Sequence, residues 1–533
     1  MGVRGEGQPP DNHQPPAENR SSAHRQQRSS SEGIGDYINI LSGTSQNIIG
    51  IVIAALATFA VQVILTRTLG RAGYGVATVM TQAAFVLSFA TRAGMDMAVL
   101  RDVAVEVGVG RFDRLRVPVA RATLIAGVVS LVFAAAAALG SDAVASVFSI
   151  DTEAHPWVVP AAALGLPFLA LANVWLSATR GLKIMRYTLY VFWAGQPIVW
   201  VILILVGWRF ATTTWMSVLA YSLSWVWASA AAWYFWRRES RPWERAPMEP
   251  GALEKLMRYA GPRAPAALFS QLLFWTDLFV LTRYAADTEI GVYSASLRAG
   301  QVLVLFLTSV SLMFSPFVAD LHNRGERQRL DKLFKALTRW TLAATMPVFL
   351  LLVVAPGDVL RIFGSEFSGG QAALLILLAG QFVNVATGSV GFVLIMVGRT
   401  GWDLAVYAGS LALNLGLAFW LCPRYGMEGA AIANAVTFAL SKWARLALVR
   451  RFVGIQPYEK TYARLLAPSL AALGAMFAVH AAITSGWLLD VALTAIAGFA
   501  AYAGVYLAVG LTPAERRGAG MVLEKLRTRT KTS

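Results

Sequence analysis

Fourteen stretches of this chain are each mostly apolar for about 20 residues, the length a helix needs to cross a hydrocarbon core about 30 Å thick. Their limits are 45–66, 74–93, 117–139, 157–178, 187–207, 214–236, 263–284, 290–318, 338–356, 370–397, 402–421, 427–449, 464–484 and 486–510. Lipid offers a backbone no hydrogen-bond partners, so a spanning segment must satisfy its own as a helix or as part of a closed barrel. The runs are continuous rather than alternating over about ten residues, which makes them helices. Composition agrees. Of the 533 residues, 56% are hydrophobic and only 14% charged, where a soluble chain would have about a quarter charged. Mean hydropathy is +0.55. Too little polar surface remains to cover such a chain in water, so most of its outer surface faces lipid.

Charge orders the spans. The net charge of +16 raises the question of nucleic acid, but the basic residues do not gather on one amphipathic segment; they recur in links between apolar runs. With the amino terminus inside, six of the 46 Lys and Arg fall outside: Arg67, Arg71, Arg209, Arg283, Arg361 and Arg424. Arg298 lies within a span, and the remaining 39 fall inside, as cytoplasmic links should. The inside links 92–116, 237–262 and 319–337 are Arg-rich, whereas the outside link 140–156 has Asp142, Asp151 and Glu153 and no Lys or Arg. One misassigned span would invert every later link, so the bias supports an even number of crossings with both termini cytoplasmic. No cleavable signal peptide is visible. The first 33 residues are rich in Pro, Gln, Ser and Arg without an apolar core, and are expected to form a disordered tail.

A pattern repeats 216 positions apart. Leu65-Thr66-Arg67 is followed by Gly75-Val76, and Leu281-Thr282-Arg283 by Gly291-Val292, with no gap needed to align them. Val144–Phe148 against Val359–Phe363, and Arg180-Gly181 against Arg399-Thr400-Gly401, echo it more weakly. Spans 1 and 7, and 2 and 8, then correspond and run in the same direction, which makes a parallel repeat of a kind common among transporters. The expected fold is an all-α polytopic membrane protein of about fourteen helices: two parallel six-helix repeats plus two C-terminal helices. The expected divisions are a tail at 1–35, lobes at 36–240 and 241–455, a helix pair at 456–512 and a basic tail at 513–533.

Several chemistries lack their residues. There is no Gly-rich loop ending in Gly-Lys-Ser/Thr, no His-Glu-x-x-His and no nucleophile elbow. The single Cys422 excludes an internal disulfide and a Cys-rich metal site. His13, His24, His155, His322 and His480 are scattered, and His480 in span 13 reads more readily as a tolerated interior polar group than as a ligand. No metal or cofactor is expected. The outside links are too short for a large extracellular catalytic loop, so moving a substrate fits better than transforming it.

The informative polar residues lie inside spans, where a charge at mid-bilayer costs at least about 2.5–3.5 kcal/mol. Asp277 and Arg298 sit at like depth, about 10–12 Å below the outer end of one hairpin at a rise of about 1.5 Å per residue. Two readings are open: an ion pair that neutralises both, or Arg298 facing a wet cavity and binding an anionic headgroup. A guanidinium suits phosphate through its forked donors. Ser294 and Gln301 share the Arg298 helix face. Span 1 carries Thr58, Gln62 and Thr66, and span 2 carries Thr81, Ser88 and Arg92. Gln62, Gln82 and Gln301 either line the space between the halves or hold helices together, at about 0.6 kcal/mol per interhelical hydrogen bond. Ser410/Asn414 and Asn434/Thr437/Ser441 read as joining helices.

Four segments carry a family resemblance from about residue 40 to 510. Thr66–Val76 resembles the link after the first helix of polysaccharide flippases, the Wzx-like branch of the multidrug/oligosaccharidyl-lipid/polysaccharide (MOP) exporter superfamily. Asp277 with Gly291–Arg298 resembles that family's helix 7–8 pattern. Phe363–Phe367 and Gly426–Ala431 resemble its later links. The resemblance implies a two-lobed, V-shaped bundle that alternates between inward- and outward-facing states in a bacterial cytoplasmic (inner) membrane. Its cargo would be a polyprenyl-diphosphate-linked oligosaccharide passed from inner to outer leaflet. The implied partners are that lipid-linked oligosaccharide and membrane lipids, together with polysaccharide polymerase and assembly proteins, and H+ or Na+ as a coupling ion. The expected substrate residues are Arg298, Asp277, Gln301, Ser294, Gln62, Gln82 and Arg92. Two other readings compete: a drug/cation antiporter of the same fold, and a non-transporting component or polymerase of a polysaccharide-assembly complex.

Overall fold

The computed structural model describes residues 55–243, 251–483 and 486–511, all within one compact unit. The expected tails 1–35 and 513–533, and the first ten residues of span 1, lie outside them. The described residues are helical, without a strand among them. Among the described residues nine helices are long and apolar enough to cross a membrane, or ten if a bent pair counts as one. Two of the nine are too long to be single crossings. Ala55–Thr91 has 37 residues and Thr400–Phe452 has 53, about 55 and 80 Å at 1.5 Å per residue. Each contains a glycine in a conformation an α-helix does not take: Gly70 at φ 66° and Gly426 at φ 51°, ψ −128°. A residue with a Cβ pays to hold positive φ and glycine does not, so the turn of each hairpin falls there.

The sequence reading misses two breaks and one helix. Residues 290–318, expected as one span, are the helices Asp287–Gln301 and Val304–Asn323, bent by 48°. Residues 370–397 are Gln371–Thr387 and Val390–Met396, separated by Gly388 at φ 68°. The link 92–116 contains the helix Met95–Gly108.

Helix packing is that of a protein whose solvent is apolar. On Arg116–Leu139 the buried face is Ala122, Ala126, Ser130 and Ala134, while Leu124, Val128, Leu131 and Val132 are exposed. Small residues inside let backbones approach, and large ones outside meet lipid. One apolar core runs through both halves of the sequence, from Val61 and Leu65 to Ala418 and Ala433. A separate cluster of Leu350, Val354, Ala472, Met476 and Tyr502 seats the C-terminal helix pair on Arg327–Val354.

The two repeated segments meet. A Cβ at Gly75 would stand 2.5 Å from the Asp287 carbonyl oxygen and 2.9 Å from the Gly291 nitrogen. One at Gly291 would collide with the Arg71 carbonyl. The equivalent glycines of the repeat thus cross backbone to backbone, which only hydrogen at Cα allows. Around this crossing, at what we term the hairpin end, Arg67 donates to the carbonyls of Arg361 (2.8 Å) and Ile362 (3.0 Å). Phe59 meets Phe363, and Phe148 meets Phe279, edge to face. Glu289 accepts from the Met427 backbone N–H at 2.6 Å. The Arg-rich links lie at the opposite, basic end.

Gly291→Ala is expected to destabilise the protein by about 1–3 kcal/mol through overpacking. Gly409→Ala, where nothing lies within 4 Å of the added Cβ, should stabilise by up to about 1 kcal/mol. Thermal unfolding of both variants in detergent checks the difference, and equal shifts would contradict the crossing.

Candidate functional site

Arg298 sits one turn before the 48° bend, on the helix Asp287–Gln301. Its guanidinium lies 4.8 Å from the ring centre of Trp275 and reaches Gln301 Oε1 at 3.4 Å. From the first half of the chain, the phenols of Tyr74 and Tyr221 stand beside it. Tyr74 in turn donates to Gln62 Oε1 at 2.9 Å. Residues from both halves therefore converge on one cation. Its Nε is buried without a hydrogen-bond partner, and so is the hydroxyl of Ser294 one turn earlier.

The ion pair, one of the two readings open for these residues, is not formed. Asp277 is fully buried and accepts from Tyr293 Oη and, at 3.1 Å, from Asn434 Nδ2. Asp277 and Arg298 have different surroundings. Asp277 faces the helices of the second half, and Arg298 faces the junction of the halves. Helix rotation decides this, and depth along a sequence does not report it. Asn434 does join two helices, as expected, through the carboxylate. Both amide atoms of Asn414 and the hydroxyl of Thr437 are buried without partners, and Asn414 also lies against Asp277.

Magnitudes show what Arg298 lacks. A cation over an aromatic face gains about 0.5–2 kcal/mol, less than the cost of at least about 2.5–3.5 kcal/mol for a charge at membrane depth. No carboxylate of the described residues pairs with it. The site holds an incompletely compensated positive charge with forked donors, which an anion of phosphate type would complement.

Of the remaining expected residues, Gln82 is half-buried on the helix of Tyr74. Arg92 belongs to a different group at the basic end. It donates to Ser88 Oγ at 2.8 Å and meets Asp96 Oδ2 at 3.5 Å, with its guanidinium 4.2 Å from the Phe89 ring centre. Arg180 is close by, near the same Asp96, and donates to Ser177 Oγ at 2.6 Å. So Gln62, Ser294, Arg298 and Gln301 form one group, Asp277 another and Arg92 a third. Sequence reasoning missed Tyr74, Tyr221, Trp275 and Tyr293. Tyr74 and Tyr293 each lie within two residues of a repeat glycine, but aromatics in apolar runs carry no signal of which way they point.

The polysaccharide biosynthesis protein family matches residues 40–322, more than half of the chain, and the MatE family matches 262–420. The family matches, with this fold, mark a membrane transporter of MOP type. The chain therefore belongs to the polysaccharide biosynthesis protein family, and is Wzx-like within the MOP superfamily. Among curated proteins it is similar to a probable low-salt glycan biosynthesis flippase, Agl15, of Haloferax volcanii: 22% identical over 223 residues, 42% of this chain and 47% of that one. The chain thus matches about half the length of that relative. Among solved structures it is similar to the lipid II flippase MurJ in an inward closed conformation, with a TM-score of 0.64 at 13% identity, covering 87% of this chain and 98% of that one. An inward-facing MATE multidrug resistance transporter of the MOP superfamily gives a TM-score of 0.61 at 12% identity, covering 75% and 98%. At such identities these structures establish the fold alone.

Tyr293→Phe removes a donor from a buried carboxylate and is expected to cost about 1.5–3 kcal/mol. In an Asp277→Asn background the same change should cost less than half as much. A double-mutant cycle read by thermal unfolding measures this, and additive losses would mean that the phenol and carboxylate are not coupled.

Proposed function

We propose that this protein flips a polyprenyl-diphosphate-linked oligosaccharide from the inner to the outer leaflet of a bacterial cytoplasmic membrane, as a transporter and not an enzyme. The observation that carries the reading is Arg298, a half-buried arginine whose Nε is buried and unpartnered where both halves meet. A diphosphate supplies the charge this site lacks, and an oligosaccharide can meet Gln62, Gln301 and Ser294 through hydroxyls. Opening the Gly70 and Gly426 breaks into hairpins raises the nine or ten long apolar helices to eleven or twelve crossings, and the helices Thr214–Ser240 and Ala252–Leu281 bring the reading to fourteen with both termini cytoplasmic. The lobes are then 36–240 and 241–455, with 456–512 as an added pair.

The place where the halves touch supports alternating access. The hairpin end, the outer one in this topology, is closed by the Gly75–Gly291 crossing and by Arg67 on two carbonyls, contacts that can separate without leaving a buried unpaired charge. Family membership and the flippase relative support a glycan cargo. Polymerase and assembly proteins would receive it on the outer side.

The test is flipping of a lipid-linked oligosaccharide in reconstituted vesicles. Arg298→Ala should lower the rate by about 10- to 100-fold, the equivalent of one charge-assisted hydrogen bond of about 1.5–3 kcal/mol, with membrane expression intact. Normal flipping by that variant would remove Arg298 from cargo binding. Drug export without glycan flipping by the parent protein would favour the antiporter.

A coupling ion, H+ or Na+, belongs at Asp277. A buried carboxylate without a cationic partner, beside the amide of Asn414, can take either. Asp277→Asn should leave flipping indifferent to an imposed proton or sodium gradient. Unchanged acceleration by either gradient in that variant would place the coupling elsewhere.

A further inference from the structure

At the hairpin end, three side chains from separate segments converge outside the site described above. Asp358 lies on the short helix Pro356–Leu360. His480 is in the last turn of Leu466–Ala482, and Asp490 in the first turn of Trp487–Val505. A ligand atom from each lies within 4.8 Å of the others. Asp490 is buried and His480 Nδ1 stands 2.7 Å from its Oδ2. Yet that nitrogen is buried without a hydrogen-bond partner, because the direction a ring N–H would take misses the oxygen. A lone pair and a carboxylate oxygen held side by side repel one another unless positive charge lies between them. Two donors facing a shared cation have this arrangement. The other Asp490 oxygen accepts from Thr494 Oγ1 at 3.1 Å, and Asp358 Oδ1 accepts from Arg361 at 2.9 Å. Such outer contacts fix the orientation of metal ligands.

We propose that Asp358, His480 and Asp490 form a binding site for a divalent first-row transition metal of the zinc type. One imidazole and two carboxylates suit zinc, whereas magnesium and calcium take oxygen ligands. Zinc ligands at about 2.1 Å and tetrahedral angles stand about 3.4 Å apart, so on binding the His480–Asp490 pair, 2.7 Å apart, opens by side-chain rotation while Asp358 closes in. Three protein ligands leave a fourth position for water. Two ligands come from the C-terminal helix pair and the third from the segment before it in the bundle, so the ion would staple that pair to the second half of the chain. The sequence reading of His480 as a tolerated interior polar group accounts for its burial but not for its unpartnered nitrogen.

The experiment is equilibrium dialysis of the full chain in detergent against Zn2+ competed by a colorimetric chelator, with metal content measured by mass spectrometry. The parent protein should hold one zinc per chain, and His480→Gln should lose it. Because His480→Gln also breaks the contact between the two C-terminal helices, Asp358→Asn is the decisive variant. It leaves His480 and Asp490 in place, and should melt like the parent in chelator while binding zinc at least tenfold more weakly. Equal zinc affinity in Asp358→Asn, or a parent that holds no more zinc than His480→Gln, would overturn the proposal.

Discussion

The structure depends on a backbone crossing. Gly75 and Gly291, equivalent positions of one repeat, press against each other's chain so closely that neither tolerates a Cβ. In water a hydrophobic core could draw the halves together from many directions. In lipid, apolar side chains gain little by meeting each other rather than acyl chains, so close approach of backbones and a few polar contacts decide which helices touch. The crossing sets the angle between the halves at one end. It thereby places Tyr74 of the first half against Arg298 of the second.

The two charges within the hairpin Ala252–Gln301 show why a membrane interior separates roles. Asp277 is surrounded by neutral donors from its own half, and its position is fixed whatever the halves do. Arg298 is surrounded by groups from both, so any separation of the halves changes its environment. A charge that senses the inter-half gap suits the cargo role proposed for Arg298, and one enclosed within a half suits the ion role proposed for Asp277. Their failure to pair keeps both free for such work, at a folding cost that a direct ion pair would have reduced.

Much of the fold was legible because lipid imposes a length on each crossing and a charge bias on each link. The helical class, the hairpin breaks near residues 70 and 426, and the inward bias of arginine follow from those constraints alone. The 48° bend after Gln301 was not legible, because Val302 and Leu303 continue the apolar run through it. The break at Gly388 was hidden likewise, since one glycine in an apolar run is compatible with an unbroken helix. The helix Met95–Gly108 escaped because Arg101, Asp102 and Glu106 made its segment read as a link.

The sequence by itself determined that this chain is a multi-pass helical membrane protein, that the pattern Leu-Thr-Arg followed by Gly-Val recurs 216 positions apart, and that an acid and a base lie in the apolar runs beside the second copy of that pattern. Periodicity, composition and a fixed offset carry those facts, since each is a property of order along the chain. Only the tertiary structure decided what the charges meet. Whether Asp277 finds Arg298 or the pair Tyr293 and Asn434 depends on the rotation of helices about their axes and on residues 157 positions away. The same holds for His480, whose neighbours Asp358 and Asp490 become neighbours only when three segments meet at one end of the bundle.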